Sequence, residues 1–341
     1  MYIPMEPSSR TARPTIRDVA AAAGVSRGTV SRVINGGHWV SPEARRLVED
    51  AIAETGYTVN QHARSLATGR ANSLAFLVTE PQHLLFEDPT YSLLLRGATQ
   101  ALAERGMTLV LLMAGTEGER RTTLEYLRAG HVDGVLLISS HASDLYIGEL
   151  AEAGVPAVCS GLPAGPAAGA PAVSIDEDAA TRAMVRHLRG RGRQRIAHLA
   201  GPADTPGGRL RHEAFQDELG EGYDARLVEA GDFGRASGAA AMERLLAGGA
   251  DFDAVFAASD AMAAGAVSVL RREGLRVPDD VGVAGFDDSG LAEAHDPPLT
   301  TIRQPWEEIS REMVALLLEA VNGAPARQVM LPTTLVQRAS T

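Results

Sequence analysis

Lysine is absent from the 341 residues, so all 32 basic side chains are arginine. Genomic base bias accounts for that absence, and no function is read from it. Cysteine occurs once, at Cys159, which excludes an intrachain disulfide. With no base partner in view, its thiol reads as a small buried residue. No apolar run is long enough to span a bilayer, and residues 1–13 lack the basic-then-apolar order of a secretory leader. These absences predict a cytoplasmic chain with no membrane partner. No G-x-G-x-x-G follows the first apolar run, and neither a P-loop nor a nucleophile elbow is present. The nine histidines show no metal-ligand spacing. The expectation is a protein that is not an enzyme and holds no metal and no cofactor.

Hydrophobic residues make up 45% and charged residues 22%, which allows a sizeable globular core. The formal net charge of -11, taken whole, argues against nucleic acid. Its distribution argues the other way. Residues 1–71 hold nine Arg against six Asp or Glu, a net of +3; the remainder holds 23 against 37, a net of -14. A short basic end on an acidic body can hold DNA at one end and repel it elsewhere.

Residues 1–13, with Pro4, Pro7, Ser8 and Ser9, read as a flexible arm. Residues 14–59 read as a helical headpiece, 60–71 as a hinge helix and linker, and 72–341 as a core. From Ser73 onward, apolar runs such as SLAFLV, MTLVLLM and VDGVLLI alternate with amphipathic stretches at 91–105, 119–129 and 144–153. GLPAGPAAGAP (161–171) interrupts that rhythm, which restarts with a helix at 178–190 and the strand RIAHLA. It runs on through VGVAGF (281–286) to a last helix at 306–321 and a strand near 328–336. Alternation of this kind means parallel strands with crossover helices. Two successive series predict two similar lobes with a cleft between them.

The headpiece carries the first chemistry. Thr15-Ile16-Arg17-Asp18 has the form of a capping box, with Asp in place of the usual Glu. Gly24 ends the first helix with the left-handed turn that glycine takes cheaply. Ser26 then caps a second helix, Arg27 to Asn35, whose Val30, Val33 and Ile34 form an apolar face. Two short helices joined by such a turn make a helix-turn-helix. The second presents Arg27, Gly28, Thr29, Ser31 and Arg32 outward, where polar residues reach base edges in the major groove. Arg27 and Arg32 suit a bidentate fork on guanine; Gly28 leaves a gap. Ser41-Pro42-Glu43 opens a third helix that Gly56 stops. Asn60 caps one more short segment, 61–68, whose Leu66 has little intramolecular core to enter; an apolar wedge in the minor groove is one use for it.

TIRDVAAAAGVSRGTVSRVING, VSPEARRLVEDAIAETGY and ARSLATGR resemble the lactose-repressor (LacI/GalR) family. HVDGVLLIS, ASDAMAAGAVSVLRREGLRVPDDVGVAGFDD and DPPLTTIRQP extend the resemblance across residues 14–341. It implies that Arg27, Gly28 and Arg32 read bases, and that Thr15, Ser26, Thr29, Ser31 and Asn35 contact phosphate and groove. It implies that Leu66 intercalates from the hinge, with Ala63 and Arg64 beside it. The core it implies is α/β, two doubly wound parallel-sheet lobes of the periplasmic-binding-protein type behind an all-α helix-turn-helix headpiece. The first lobe covers about 72–172 and 303–330, the second about 173–302 and 331–341, with three crossing segments and a ligand in the cleft. Arg211 and Asp287 match family positions that bind effector hydroxyls, Phe233 the aromatic that stacks on a ring, and Tyr91 a pocket-lining position. Ser259 stands where the family often has Asn or Asp, and is taken as a further effector contact.

Three features depart from the family. Gly161 stands where an acid is common, the pair before the MAAGA helix is Ser259-Asp260, and the loop 79–88 is longer than the usual connection to the Asp-Pro motif. The expected protein is a homodimeric, sequence-specific transcription regulator, a repressor, on a near-palindromic double-stranded operator. A small effector, a sugar or related polyol or nucleoside, controls it. The chain stops soon after LPTTLVQRAS, so no tetramerising helix is expected. The rival reading is a solute-binding protein or carbohydrate-pathway enzyme on the same core. The first would need a secretory leader and no residues 15–69; the second would need a catalytic set.

Overall fold

The computed structural model describes residues 14–34, 39–58, 69–138, 141, 146–163 and 165–341. The chain divides into two compact units, residues 1–71 and 72–341.

The first unit holds α1 (Ile16–Ala23), α2 (Arg27–Ile34) and α3 (Pro42–Thr55). Their apolar faces close on one another through Val19, Ala23, Val30, Val33, Val48 and Ala51. Gly24 has φ +65°, the left-handed conformation that lets α2 turn back on α1. Ser41 caps α3 by accepting from the Ala44 amide at 3.2 Å, and Pro42 occupies the first turn, where no amide is needed. Asn35 and the hinge segment 60–68 lie outside the described residues.

The second unit contains two parallel sheets. The first runs β1 (Ser73–Val78), α4 (Gln82–Glu87), α5 (Pro89–Ala103), β2 (Thr108–Met113), α6 (Glu117–Arg128), β3 (Gly134–Ile138), α7 (Tyr146–Glu152), β4 (Ala157–Ser160) and β5 (Ala172–Ile175). The second runs α8 (Glu177–Gly190), β6 (Ile196–Ala200), α9 (Pro206–Leu219), β7 (Val228–Ala230), α10 (Arg235–Ala247), β8 (Ala254–Ala257), α11 (Asp260–Arg272), β9 (Gly282–Ala284) and α12 (Leu291–Ala294). The chain closes with β10 (Thr301–Arg303), α13 (Trp306–Val321), β11 (Gln328–Leu331) and β12 (Thr334–Val336). Strand order is β11-β5-β4-β3-β1-β2 in the first sheet and β7-β6-β8-β9 in the second. Every residue of β1 is buried, as a central parallel strand with both faces covered requires.

Three details differ from the sequence reading. Ala172–Ile175, placed across the lobe boundary, pairs with β4 and β11 and so belongs wholly to the first sheet. The strand expected near 328–336 is two strands in different sheets. Pro332 has no amide to donate, and the ladder breaks there: β11 joins β5, while β12 runs antiparallel to β10. The long loop 79–88 contains a helix, α4, that periodicity did not reveal.

Candidate effector cleft and DNA-reading surface

On the headpiece, Asp18 Oδ2 accepts from both the amide (2.7 Å) and the hydroxyl (2.8 Å) of Thr15, so the shorter Asp does make the return bond of the capping box. The Thr15 amide bond is the main reason its carboxyl sits below the usual range. Ser26 Oγ accepts from the Thr29 amide at 3.1 Å and lies 3.0 Å from its hydroxyl, fixing the first turn of α2. Arg27, Gly28 and Arg32 are exposed; Thr29 and Ser31 are half-buried. Trp39, which the sequence reading passed over, stands 92% exposed on the same unit. Ala63, Arg64 and Leu66, like Asn35, lie outside the described residues.

In the core, a cavity of about 170 Å³ lies between the two sheets' strand ends, where open α/β sheets bind ligands. Tyr91 of α5, Arg211 of α9, Phe233 of the loop after β7 and Asp287 of the loop after β9 all line it. Ser259 does not. It caps α11, accepting from the Met262 amide at 3.0 Å, and its hydroxyl donates to the Phe233 carbonyl at 2.7 Å. It therefore supports a wall of the cavity from behind.

Arg211 is buried and densely held. Its Nε donates to Glu177 Oε2 at 2.7 Å, its Nη2 to Glu177 Oε1 at 3.2 Å, and its Nη1 to the Ala258 carbonyl. Its guanidinium lies 3.6 Å from the centre of the Phe286 ring. Asp287 Oδ1 is farther off, at 3.9 Å from Nη1, and accepts instead from Gln304 Nε2 at 2.8 Å. Trp306 Nε1 donates to the Asp287 carbonyl at 2.9 Å. The neighbouring Asp288 is gripped by Arg303 and Arg338, each at 2.7 Å. Of the two adjacent acids in GFDD, one fastens the crossing segments and the other faces the cavity.

Electrostatics follow from this spacing. Burial opposes the charge on Arg211, but Glu177 and then Asp287 more than offset it, and its pKa is raised. Burial pushes Asp287 well above the usual carboxyl range; Arg211 opposes that shift, while Asp260 and Asp88 add to it. Asp88, whose Oδ1 caps α5 through the Thr90 amide at 2.8 Å, is also raised by burial. One cation thus faces Glu177, Asp287 and Asp88. An anionic ligand would meet three acids; a neutral polyol finds acceptors and donors together.

Sequence reasoning missed Asp88, Glu177, Gln304 and Trp306, all of which line this cavity. Only Asp88, in the Asp-Pro pair that opens a helix, carried a local signal. Among the described residues no group of three or more His, Cys, Asp or Glu is placed to hold a metal ion, and no helix is long and apolar enough to cross a membrane.

Residues 15–60 match the family described as bacterial regulatory proteins, lacI family, and residues 185–341 match a periplasmic binding protein-like domain. The chain is 45% identical over 337 residues to the HTH-type transcriptional regulator CelR of Thermobifida fusca, covering 97% of this chain and 99% of that one. It is 33% identical over 324 residues to the transcriptional repressor CytR of Escherichia coli, covering 94% and 93%. Among solved structures it is similar to a CelR–cellobiose complex, with TM-score 0.77 and 43% identity over 96% of this chain and all of the other. It is also similar to the Lac repressor dimer bound to operator and the anti-inducer ONPF, with TM-score 0.84 and 30% identity over 96% and 99%.

Proposed function

Because the chain belongs to the lacI family of bacterial regulatory proteins, we propose that it is a sequence-specific repressor of transcription whose hold on an operator is set by a neutral sugar bound in the core cleft. One observation carries the sugar: a single buried arginine facing the carboxyl groups of Glu177, Asp287 and Asp88, beside Phe233 and Trp306 in one cavity. Hydroxyls satisfy such a set in both directions, and aromatic faces suit the C–H face of a ring. The relatives support it, since one was solved with cellobiose and another with operator DNA. Arg27, Gly28 and Arg32 read bases in the major groove, and Thr15, Ser26, Thr29 and Ser31 meet the backbone.

The protein acts as a cytoplasmic homodimer without catalysis, one headpiece to each half of a near-palindromic site. The outer strand β2 supports dimerisation: it is an edge, and Leu111 on it is 41% exposed. The test is filter binding of genomic fragments by the purified full chain, with and without a panel of neutral sugars and anionic sugar phosphates. Retention of specific fragments, released by one neutral sugar, is the expected result. Retention without preference among fragments, or release by the phosphates alone, would contradict the reading.

A further inference from the structure

His141 stands in the loop after β3, on the first lobe, and reaches across the mouth of the cleft. Its Nε2 lies 2.8 Å from Glu80 Oε1, in the loop after β1 of its own lobe. Its Nδ1 lies 2.8 Å from Asp204 Oδ2, in the loop after β6 of the second lobe. Among the described residues, this is the one ion pair that joins the lobes away from the crossing segments; the rest lie within one lobe or at Arg303 and Arg338. Leu84 of α4 lines the same outer cavity as His141, and its Cδ2 lies 3.9 Å from where a side chain on Gly234 of the second lobe would begin. The lobes are therefore close together at this rim.

The geometry calls for a cation. Carboxylate oxygens only accept, so each must be met by an N–H. A neutral imidazole has one N–H and would set the lone pair of its other nitrogen against a carboxylate. The imidazolium has two and satisfies both partners. The other charged and titratable groups among the described residues of this cavity are His83, Glu87 and Asp88 on the first lobe's side and Asp232 and Arg235 on the second's. Acids outnumber cations in that set, which also favours a proton on His141. The two partners divide the work: Glu80 fixes the ring on its own lobe, and Asp204 is the catch on the other.

We propose that His141 is a latch on the cleft, closing its mouth by clamping one carboxylate of each lobe and releasing it when the imidazole loses its proton. Two lobes joined by crossing segments can hinge, and a contact at the rim acts on the gap where it is widest. The direction with pH follows from the two partners. With the lobes apart, His141 keeps Glu80 and loses Asp204, so its pKa falls between the ordinary 6.5 and the clamped value of about 9. Closing then takes up part of a proton in that window. The latch is at full strength below 6.5 and is lost as pH rises through 9. Asp204 is 53% exposed, so the closed-to-open ratio changes by well under about tenfold per pH unit. None of this depends on what fills the cavity.

Pulsed electron spin resonance on the full-length protein, with no ligand added, measures the gap. Spin labels go to Glu117→Cys, which opens α6 on the first lobe, and Ala236→Cys, in the first turn of α10 on the second; both positions are exposed and follow strand ends that face the cleft. Cys159 is buried and its thiol is pushed up to about 12, so it takes no label. Labelled chain is assembled with an excess of unlabelled chain, so that distances are read within one chain. The doubly labelled protein with His141 intact should give a short distance at pH 7 and lose part of it to longer distances at pH 10. His141→Gln, neutral at both pH values, should show the longer distances already at pH 7, and Asp204→Asn should match it. Distances that do not change between pH 7 and pH 10 with His141 intact would overturn the latch. So would a His141→Gln protein that keeps the short distance at pH 7.

Discussion

Arg211 and Glu177, 34 residues apart in sequence, meet in a two-point ion pair at 2.7 and 3.2 Å on the floor of the cleft. The pair joins the start of α8 to the middle of α9, and it is the only bidentate contact that Arg211 makes among the described residues.

Arg211→Ala should leave Glu177 and Asp287 as buried acids without their cation. Breaking a buried pair from one side costs roughly 3–5 kcal/mol. The core should therefore unfold at lower urea, and operator release by the sugar should disappear. Operator affinity without sugar should hardly change, because the headpiece is a compact unit of its own. Glu177→Gln keeps the shape and should show the same pattern more weakly. Urea midpoints and operator titrations with and without sugar check this; a normal sugar response in Arg211→Ala would place the effector elsewhere.

What the sequence made legible was local. Thr15, Gly24, Ser41 and Pro42 act within one helical turn, so their capping roles could be read without knowing the fold. The strand–helix alternation was legible because each buried strand is a short continuous apolar run. What escaped depends on distant partners. Glu177 gains its role only because α8 and α9 pack side by side. Ser259 has the composition of a cleft residue, but tertiary placement turns its hydroxyl to a backbone carbonyl. Helix α4 escaped because QHLLFE, six residues with none buried, is too short for periodicity to register.

Arg32→Ala should relax base preference at one operator position. Arg32 is exposed and has no carboxylate partner among the described residues, so its fork is available to a base edge. Loss of a bidentate contact removes about 1–3 kcal/mol of discrimination. Binding-site selection from random DNA measures it. An unchanged motif with the same information content would remove Arg32 from base reading.

Gly201→Ala should disturb the cleft by displacing Phe233 while removing no ligand-facing group. The Phe233 ring occupies the space that a side chain at Gly201 would need. Phe233 itself is held at φ +69°, a strained conformation for a residue with a side chain, and Ser259 fixes its carbonyl. The added methyl must push the ring outward, at a cost of about 1–3 kcal/mol as in other overpacked sites. Sugar affinity should drop while operator affinity holds. Calorimetry showing wild-type sugar binding in this variant would mean that Phe233 is not a wall of the effector site.

Two histidines should set opposite limits on stability with pH. His198 is fully buried; its Nδ1 donates to the Phe256 carbonyl at 2.9 Å, and its Nε2 has no hydrogen-bond partner among the described residues. Burial pushes its pKa down from the ordinary 6.5 to about 3. The unfolded chain therefore binds a proton below 6.5 that the folded chain refuses until about 3. Stability should fall through that window by about 1.4 kcal/mol per pH unit. His141 behaves in the reverse sense. It bridges Glu80 on one side of the cleft and Asp204 on the other, each at 2.8 Å. The bond to Glu80 is the main reason its pKa is raised to about 9. Its contribution is full below 6.5 and is lost as pH rises through 9. His198→Phe, whose ring can join the stack on Phe215, should flatten the acid limb of the stability profile; His141→Gln should flatten the alkaline limb. Urea midpoints at pH 5, 7.5 and 9.5 read both. If the acid limb of His198→Phe matches that of wild type, the buried imidazole is not what limits the protein in acid.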